Sequence, residues 1–319
     1  MGRPGRLLAY NAEAGFVVGL DVGGTTTRAV LTDLLGAEVG RRYEATAQSS
    51  ADGLARQLAS IVHRLTADFR ANGRVVGVGL GTPGVVDAQR RCFTIAPNIL
   101  ALETEGILDR LDVALGVPVT LLNDVNAAAI GELQFGAGVG IRQMVYVGIG
   151  TGLGFGLVIN GSLHQGVAGR AGEMGLLTLH PESKATFESV LSGKGVQRRH
   201  AEAGGSGRPE DAFNEAEQGV EPGATVISRF LQDVVWMISV LSTMLDPERV
   251  ILGGGIGLRC RPYVPQICEA LEDRLGFVTE VAVGELGDDA GLAGAVVAAL
   301  EPARRVDRWL GGQALSPPT

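Results

Sequence analysis

The stretch Phe16-Val-Val-Gly-Leu-Asp-Val-Gly-Gly-Thr-Thr-Thr27 decides the fold of this chain. An apolar run reaches Asp21, two glycines and three threonines follow, and apolar residues resume after Arg28. This pattern predicts two antiparallel strands joined by a tight turn. The turn offers main-chain N–H groups and hydroxyls to a phosphate, and a carboxylate that can hold Mg²⁺ through water. An ordinary hairpin uses the same residue types, so the turn alone leaves both interpretations open.

Composition and charge exclude several classes of protein. The chain has 319 residues, 45% of them hydrophobic, and a net charge of −8, which fits about two domains and argues against nucleic acid as the main partner. The apolar runs are too short to cross a bilayer and residues 1–15 lack a signal-peptide core, so we expect a cytoplasmic protein with no membrane partner. The three scattered cysteines predict reduced thiols.

The order of predicted elements repeats along the chain. Strand patterns at 16–20, 28–34 and 39–46 lead to a helical pattern and two further strands, and a second copy begins near residue 143. The remaining predictions are helices at 51–71, 125–135, 187–203, 222–245, 259–275 and from about 289, strands at 74–80, 117–122, 144–147, 155–159 and 249–252, a type I′ turn at 160–161 and an exposed loop at 204–211. Two related α/β halves predict a ligand cleft between them.

Two further glycine-rich segments are candidates for binding. Glycine alternates from Gly148 to Gly156 with Thr151 in the middle, which leaves one hairpin face bare so that another body can lie against the backbone. We favour a nucleotide phosphate there over a β-bulge or close sheet packing. A glycine turn with Gly254 and Gly255 follows the strand at 249–252, and it can receive a phosphate or a base, or be only a tight turn.

Asp124 is the candidate catalytic residue. It directly follows an apolar strand, stands beside Asn123 and precedes an Ala-rich helix. A catalytic base needs this exposure at a strand end, although an acid that caps a helix has the same placement.

With these motifs in order, the chain resembles the ROK family (repressors, open reading frames and sugar kinases) of the actin-like, hexokinase-type ATPases. The resemblance runs from about Phe16 to Leu300 and rests on Asp21-Val-Gly-Gly-Thr25, Gly79-Leu-Gly-Thr-Pro-Gly-Val-Val-Asp87, Ala96-Pro-Asn98, Asn123-Asp-Val-Asn-Ala127, the glycine alternation, Ala171-Gly-Glu-Met-Gly175, Asp246 to Gly255 and Gly287 to Ala295. It implies an α/β fold of two ribonuclease-H-like lobes with an interlobe cleft. The expected domains are an N-terminal extension at 1–15, a smaller lobe at 16–122 plus 298–319, and a larger lobe at 123–297.

The resemblance also implies an activity and roles for the matching residues. It implies a glucokinase-like enzyme that transfers the γ-phosphate of Mg-ATP to a hexose, with Asp124 as general base, and a homodimer. The residues implied to bind sugar are Asn98, Asn123, Glu173, Glu188 and Gly84. Those implied to bind ATP are Asp21, Gly23, Gly24, Thr25, Thr26, Gly150, Thr151, Gly152, Gly254 and Gly255, with Asp21 also organising Mg²⁺ through water.

The chain departs from the family pattern at the zinc motif. Many members carry a His and then several Cys that bind a structural zinc, whereas this sequence has Leu176 at the His position and no Cys from there to Thr186. A structural zinc site needs four nitrogen or sulfur ligands, so we expect no zinc. The family His would also contact the sugar, which leaves the choice of sugar open.

A second class of function stays open. The segment Gly2-Arg-Pro-Gly-Arg6 resembles the linker that joins a DNA-binding domain to the body of the family's repressors, although an Arg- and Gly-rich start also needs no function. The alternative is therefore the sugar-sensing, dimerising effector domain of a ROK-type transcriptional regulator without kinase turnover. We favour the kinase because Asp21, Gly23, Gly24, Thr25 and Asp124 are all present.

Overall fold

The computed structural model describes residues 11–47, 50–69, 74–87, 90–94, 96, 99–179 and 182–304. The chain divides into two compact units: unit 1 consists of the described residues of Met1–Leu122 and Ala295–Thr319, and unit 2 is Asn123–Gly294. The chain therefore leaves unit 1 after Leu122 and returns to it within the last helix, after Gly294.

Unit 1 is built on a five-stranded sheet in the order β3-β2-β1-β4-β7. β1 lies in the sheet interior and is buried along its whole length except at Asp21, which explains its nearly continuous apolar sequence. The elements of this unit are β1 (Phe16–Val22), β2 (Thr26–Asp33), β3 (Glu38–Ala45), α1 (Ala51–Asp68), β4 (Val75–Thr82), β5 (Val85–Asp87), β6 (Cys92–Thr94), α2 (Ile107–Leu115) and β7 (Val119–Asn123). α1 begins at its N-cap Ser50 and buries one apolar stripe against the sheet core.

Unit 2 repeats the arrangement with the order β10-β9-β8-β11-β12. In both units the first strand pairs antiparallel with the second and parallel with the fourth. The elements are α3 (Asp124–Phe135), β8 (Met144–Ile149), β9 (Leu153–Ile159), β10 (Ser162–Leu163), α4 (Phe187–Leu191), α5 (Gly193–Glu202), α6 (Pro209–Glu217), α7 (Gly223–Leu245), β11 (Arg249–Gly253), α8 (Gly254–Leu258), α9 (Val264–Leu275), β12 (Glu280–Val283) and α10 (Ala290–Ala303), which both units share. The predicted α/β class with two ribonuclease-H-like sheets is confirmed.

Several boundaries differ from the sequence predictions. The helix predicted at 187–203 is two helices that meet at Ser192, whose Oγ accepts the Gly195 N–H at 3.3 Å. The loop predicted at 204–211 ends early because Pro209 begins α6, a position that proline favours. The type I′ turn is confirmed, since Asn160 and Gly161 both have the positive φ angles, 56° and 75°, that this turn requires.

α7 is the core helix of unit 2. It has 23 residues, and an 18-residue stretch within it has a mean hydropathy of 1.4, so by length and composition alone it could cross a membrane. The apolar runs in the sequence did not indicate such a helix. Half of that stretch is buried, and Phe230, Val234 and Met237 pack in the main hydrophobic cluster. A buried core helix has the same length and composition, so the finding is weak evidence for a membrane span.

Candidate functional site

Threonine hydroxyls hold the turn between β1 and β2 in unit 1. Thr82, at the end of β4, donates from Oγ1 to the Val22 carbonyl at 2.9 Å. Thr46 donates from Oγ1 to the Gly23 carbonyl at 2.7 Å and lies 2.9 Å from the buried Thr27 hydroxyl. Thr27 therefore supports the turn from its buried side, whereas the two preceding threonines, Thr25 and Thr26, are exposed.

The predicted phosphate-binding residues lie together on this turn. Thr25 and Thr26 are exposed, whereas Asp21, Gly23 and Gly24 are half-buried. The Gly23 N–H donates to the Thr26 carbonyl at 3.0 Å, so this donor is used within the turn. The exposed hydroxyls and the Asp21 carboxylate are the groups here that suit a phosphate and its cation.

Two predicted sugar-binding residues belong to the first half of the sequence. Gly84 follows β4 and has a φ of 116°, a conformation that only glycine adopts readily. Asn98 lies outside the described residues.

Asn123 and Asp124 make different hydrogen bonds at the start of α3. Asn123 is the N-cap: its Oδ1 accepts the N–H groups of Val125 at 2.9 Å and Asn126 at 3.3 Å. Asp124 is the first residue of the helix, and its Oδ1 accepts the Val125 N–H at 2.8 Å. Burial raises the pKa of the Asp124 carboxyl. Asn123 accepts both capping N–H groups, so Asp124 only duplicates one capping bond and is not required as the N-cap.

Glu173 and Glu188 lie near Asp124 in unit 2. Glu173 opens a 3₁₀ turn, Glu173–Leu176, and Glu188 lies in the first turn of α4. Burial, and then the negative charges of Glu188 and Asp124, raise the pKa of Glu173. In the part of the chain described, no group of three or more His, Cys, Asp or Glu is placed to hold a metal ion. Carboxylate oxygens at these three positions can accept hydrogen bonds from hydroxyl groups, such as those of a sugar.

The glycine alternation serves two purposes. A methyl group at Gly154 would lie 2.6 Å from Val125 Cγ2, and one at Gly156 would lie 2.4 Å from Ala129 Cβ. Gly148 also faces Val125, at an ordinary contact distance of 3.5 Å. The body that lies against these three glycines is α3, so the prediction of a phosphate is wrong for them and close packing replaces it.

The tip of the same hairpin is open. A methyl group at Gly150 would meet no atom of the described residues within 4 Å, and Thr151 is exposed. A methyl group at Gly152 would lie 2.9 Å from Glu188 Oε1. Gly193 donates its N–H to the Gly150 carbonyl at 2.7 Å, which ties the tip to the start of α5. The predicted phosphate-binding residues Gly150, Thr151 and Gly152 thus lie beside a predicted sugar-binding residue.

The third glycine turn joins β11 to α8. Gly254 has a φ of 74°, and a methyl group there would lie 2.6 Å from the Ile149 carbonyl oxygen, whereas at Gly255 nothing in the described chain lies within 4 Å. The buried Tyr146 hydroxyl accepts the Gly254 N–H, and burial raises the pKa of Tyr146. Tyr146 therefore supports this turn, a role that no pattern in the sequence indicated.

The ROK family model matches residues 17–301. The chain belongs to the ROK family. A glucokinase from Halalkalibacterium halodurans is 29% identical over 307 residues, covering 87% of this chain and 92% of that enzyme. The bifunctional enzyme NanE/NanK from Brucella melitensis is 31% identical over 281 residues, and the chain spans about half of its length (52%) while 87% of the chain is covered. A xylose repressor from Bacillus subtilis is 33% identical over 180 residues, 56% of this chain and 46% of the repressor.

Solved structures of the ROK family agree with the fold. A ROK hexokinase from Thermus thermophilus superposes with a TM-score of 0.81 at 29% identity, covering 91% of this chain and 99% of that one. A ROK family glucokinase from Streptomyces griseus, in complex with glucose and AMPPNP, gives a TM-score of 0.73 at 27% identity, covering 90% and 100%.

Two residues of unit 2 have structural roles that no local pattern in the sequence indicated. Glu132 is 1% exposed, and its carboxylate accepts the backbone N–H groups of Ala137, just after α3, and of Glu285 and Leu286, after β12. Arg259 stacks over Phe213, with 5.6 Å between its guanidinium carbon and the ring centroid, and bonds Glu217 at 2.8 Å. The guanidinium of Arg259 therefore ties α8 to α6. The only early signal for Glu132 was an acid inside an Ala-rich helix.

Proposed function

We propose that this protein is an ATP-dependent sugar kinase that transfers the γ-phosphate of Mg-ATP to a hydroxyl of a glucose-like hexose. The observation that carries the proposal is the Asp124 carboxylate. Asp124 is the first residue of α3 but is not needed as its N-cap, and burial raises the pKa of its carboxyl. A raised pKa makes a carboxylate a stronger base, as general-base catalysis requires. Glu173 and Glu188 supply further acceptors near it.

In the proposed reaction, Asp124 takes the proton of the sugar hydroxyl as that oxygen bonds to the γ-phosphorus. The bond from phosphorus to the β–γ bridging oxygen breaks, and ADP leaves with the electron pair. Phosphoryl transfer depends mainly on positioning and charge stabilisation. We assign the remaining sugar hydroxyls to Asn123, Glu173 and Glu188, together with Asn98 and Gly84.

The residues of the nucleotide-binding turns fit Mg-ATP. Magnesium is commonly held by one or two carboxylates together with phosphate oxygens and water, so Asp21 suffices without a cluster of protein ligands. When bound, Mg²⁺ neutralises charge on the β- and γ-phosphates. The hydroxyls of Thr25 and Thr26 are exposed, and space is open at Gly150. We assign nucleotide binding to these residues and to Gly23, Gly24, Thr151, Gly152, Gly254 and Gly255.

The relatives support a kinase without fixing the sugar. Glucokinases match over nearly their full length, and the related Streptomyces griseus structure holds glucose and an ATP analogue. Glucose is therefore the first sugar to test, and a homodimer is part of the proposal.

The test is an ADP-release assay with Mg-ATP against a panel of hexoses and N-acetylhexosamines. We expect turnover on one sugar, lost by at least about 10²-fold in Asp124→Asn, the range that removal of a general base produces. Calorimetry should show that Asp124→Asn still binds that sugar. Asp273→Asn, an exposed acid on α9, is the matched control. Loss of sugar binding together with turnover would assign Asp124 a structural role.

The second candidate function is a sugar-sensing effector domain. It is favoured by the similarity to a xylose repressor and by Leu176, which is 65% exposed beside Glu173 and offers no polar atom to a sugar. This function predicts that one sugar raises the melting temperature while no sugar supports ADP release. Turnover that depends on Asp124 would exclude it.

A further inference from the structure

The helix that carries Asp124 is held on two opposite faces. Val125 and Ala129 are four residues apart and so lie on one face of α3, which contacts the bare glycines of the β8–β9 hairpin. Ala127 lies on the opposite face, where a methyl group at Gly294 of α10 would be only 1.7 Å from its carbonyl oxygen. A methyl group at Gly131 would likewise approach the α10 backbone, at 2.2 Å from the Ala290 carbonyl oxygen. α3 therefore has no free space on either side.

We propose that Gly154 and Gly156 are positioning residues for phosphoryl transfer. They set how closely α3 approaches the second sheet, and thereby fix the Asp124 carboxylate, which directly precedes Val125. The inference rests on the proposed role of Asp124 as general base. Its content is that the two glycines are required for the placement of that base, and that no ligand needs to touch them.

A side chain at either glycine cannot be accommodated by a local adjustment. Gly154 and Gly156 do not have positive φ angles, so the alanine backbone itself is not strained and the whole effect comes from contact. A valine in a helix keeps essentially one χ1 rotamer, so Val125 cannot turn its methyl group away. Ala129 has no side-chain torsion that could move its Cβ. The strain must therefore move or tilt the helix.

The size of that movement follows from the distances. Carbon atoms in contact prefer about 3.5–4.0 Å, and a methyl group at Gly154 would start 2.6 Å from Val125 Cγ2. Relief requires a shift of about 1 Å, and a misplacement of that size can lower a rate by about 10²-fold. We expect kcat of Gly154→Ala and Gly156→Ala to fall by about tenfold to 10²-fold, with a much smaller change in the KM for ATP.

The rescue experiment adds a methyl group at the glycine and removes methyl groups from the facing residue of α3. Gly156→Ala combined with Ala129→Gly transfers one methyl group across the contact, and Gly154→Ala combined with Val125→Ala removes the methyl groups that collide. We expect each double variant to recover most of the kcat that its glycine variant loses. The single variants Ala129→Gly and Val125→Ala are measured beside them, so that the recovery is read from a double-mutant cycle.

The control for general destabilisation is Gly223→Ala in the same unit. A methyl group there would lie 2.4 Å from Glu215 Cβ, between α6 and α7, which is as tight as the contact at Gly156. We expect this variant to lose thermal stability but keep kcat at a temperature where all variants are folded. Equal losses of kcat in Gly223→Ala and Gly156→Ala, or no recovery in the double variants, would overturn the inference.

A second readout separates this inference from the proposed function. The side-chain carboxyl of Asp124 can be titrated by carbon-13 NMR, and displacement of α3 should change its pKa in Gly154→Ala but not in Gly223→Ala. Absence of turnover in the unmodified protein would refute the kinase, and the titration would still report whether the glycines place the carboxylate. An unchanged titration in Gly154→Ala would overturn the inference whether or not the protein is a kinase.

Discussion

Replacement of Glu132 by alanine tests a buried carboxylate that accepts three backbone N–H groups in unit 2. Its Oε2 accepts the N–H groups of Ala137 at 2.8 Å and Glu285 at 3.1 Å, and its Oε1 accepts that of Leu286 at 2.9 Å. Glu132→Ala removes all three acceptors. A buried donor left without a partner costs about 1–3 kcal/mol. The Ala137 N–H is buried, whereas the other two regain water in part, so we expect a loss of roughly 3–5 kcal/mol.

Thermal unfolding by calorimetry or circular dichroism measures this loss. At about 2–4 °C per kcal/mol for a domain of this size, the melting temperature should fall by roughly 6–20 °C. Glu132→Gln keeps the volume of the side chain but turns an amide donor toward an N–H group. Its melting temperature should therefore lie between those of the unmodified protein and Glu132→Ala. Glu248→Ala is the control, because this exposed carboxylate also accepts two backbone N–H groups, from Arg142 and Gln143, where water can replace it. A melting temperature of Glu132→Ala within about 2 °C of that control would refute the reasoning.

Three further predictions follow from buried groups. Burial raises the pKa of the Asp124 carboxyl, so the folded state loses stability as pH rises and this carboxyl ionises. Asp124→Asn should therefore have a higher melting temperature than the unmodified protein near neutral pH. In a pH series of melting curves, the difference should vanish below pH 3.8, the ordinary pKa of an aspartate. Tyr146→Phe removes the acceptor of the Gly254 N–H at a cost of about 1 kcal/mol, which should raise the KM for ATP by up to about fivefold; an unchanged KM would remove this turn from the nucleotide site. Burial raises the pKa of the Cys260 thiol to about 12, so the partly exposed Cys268 should react first with a thiol reagent in the native protein, as peptide mass spectrometry would detect.

Local patterns were sufficient to predict most elements of the fold. The turn after β1, the capped start of α3 and the Asn160-Gly161 hairpin each depend on a few adjacent residues whose backbone preferences agree with the final structure. The repeated strand order also follows from the sequence, because the first three strands of each unit are joined in succession and pair with their neighbours.

What the sequence did not reveal depends on contacts between distant residues. Glu132 bonds Glu285 and Leu286 across more than 150 positions, and no local pattern carries that information. The break at Ser192 was missed because helical periodicity continues through a residue that both ends one helix and caps the next. For the glycine alternation, the sequence predicted that some body lies against the backbone, but whether it is a phosphate or a helix depends on which face α3 covers.

α3 combines an unfavourable group at its start with stabilising contacts along the rest of its length. Burial disfavours the ionised form of Asp124, so the charge that a general base needs lowers the stability of the folded state. The same helix is bonded through Glu132 at its other end and packed against glycines on two faces. These contacts offset the cost and also restrict where the carboxylate can lie. The small residues Ala127, Ala129 and Gly131 are therefore a requirement of the proposed chemistry as well as of the packing, because a larger side chain on either face would move the base.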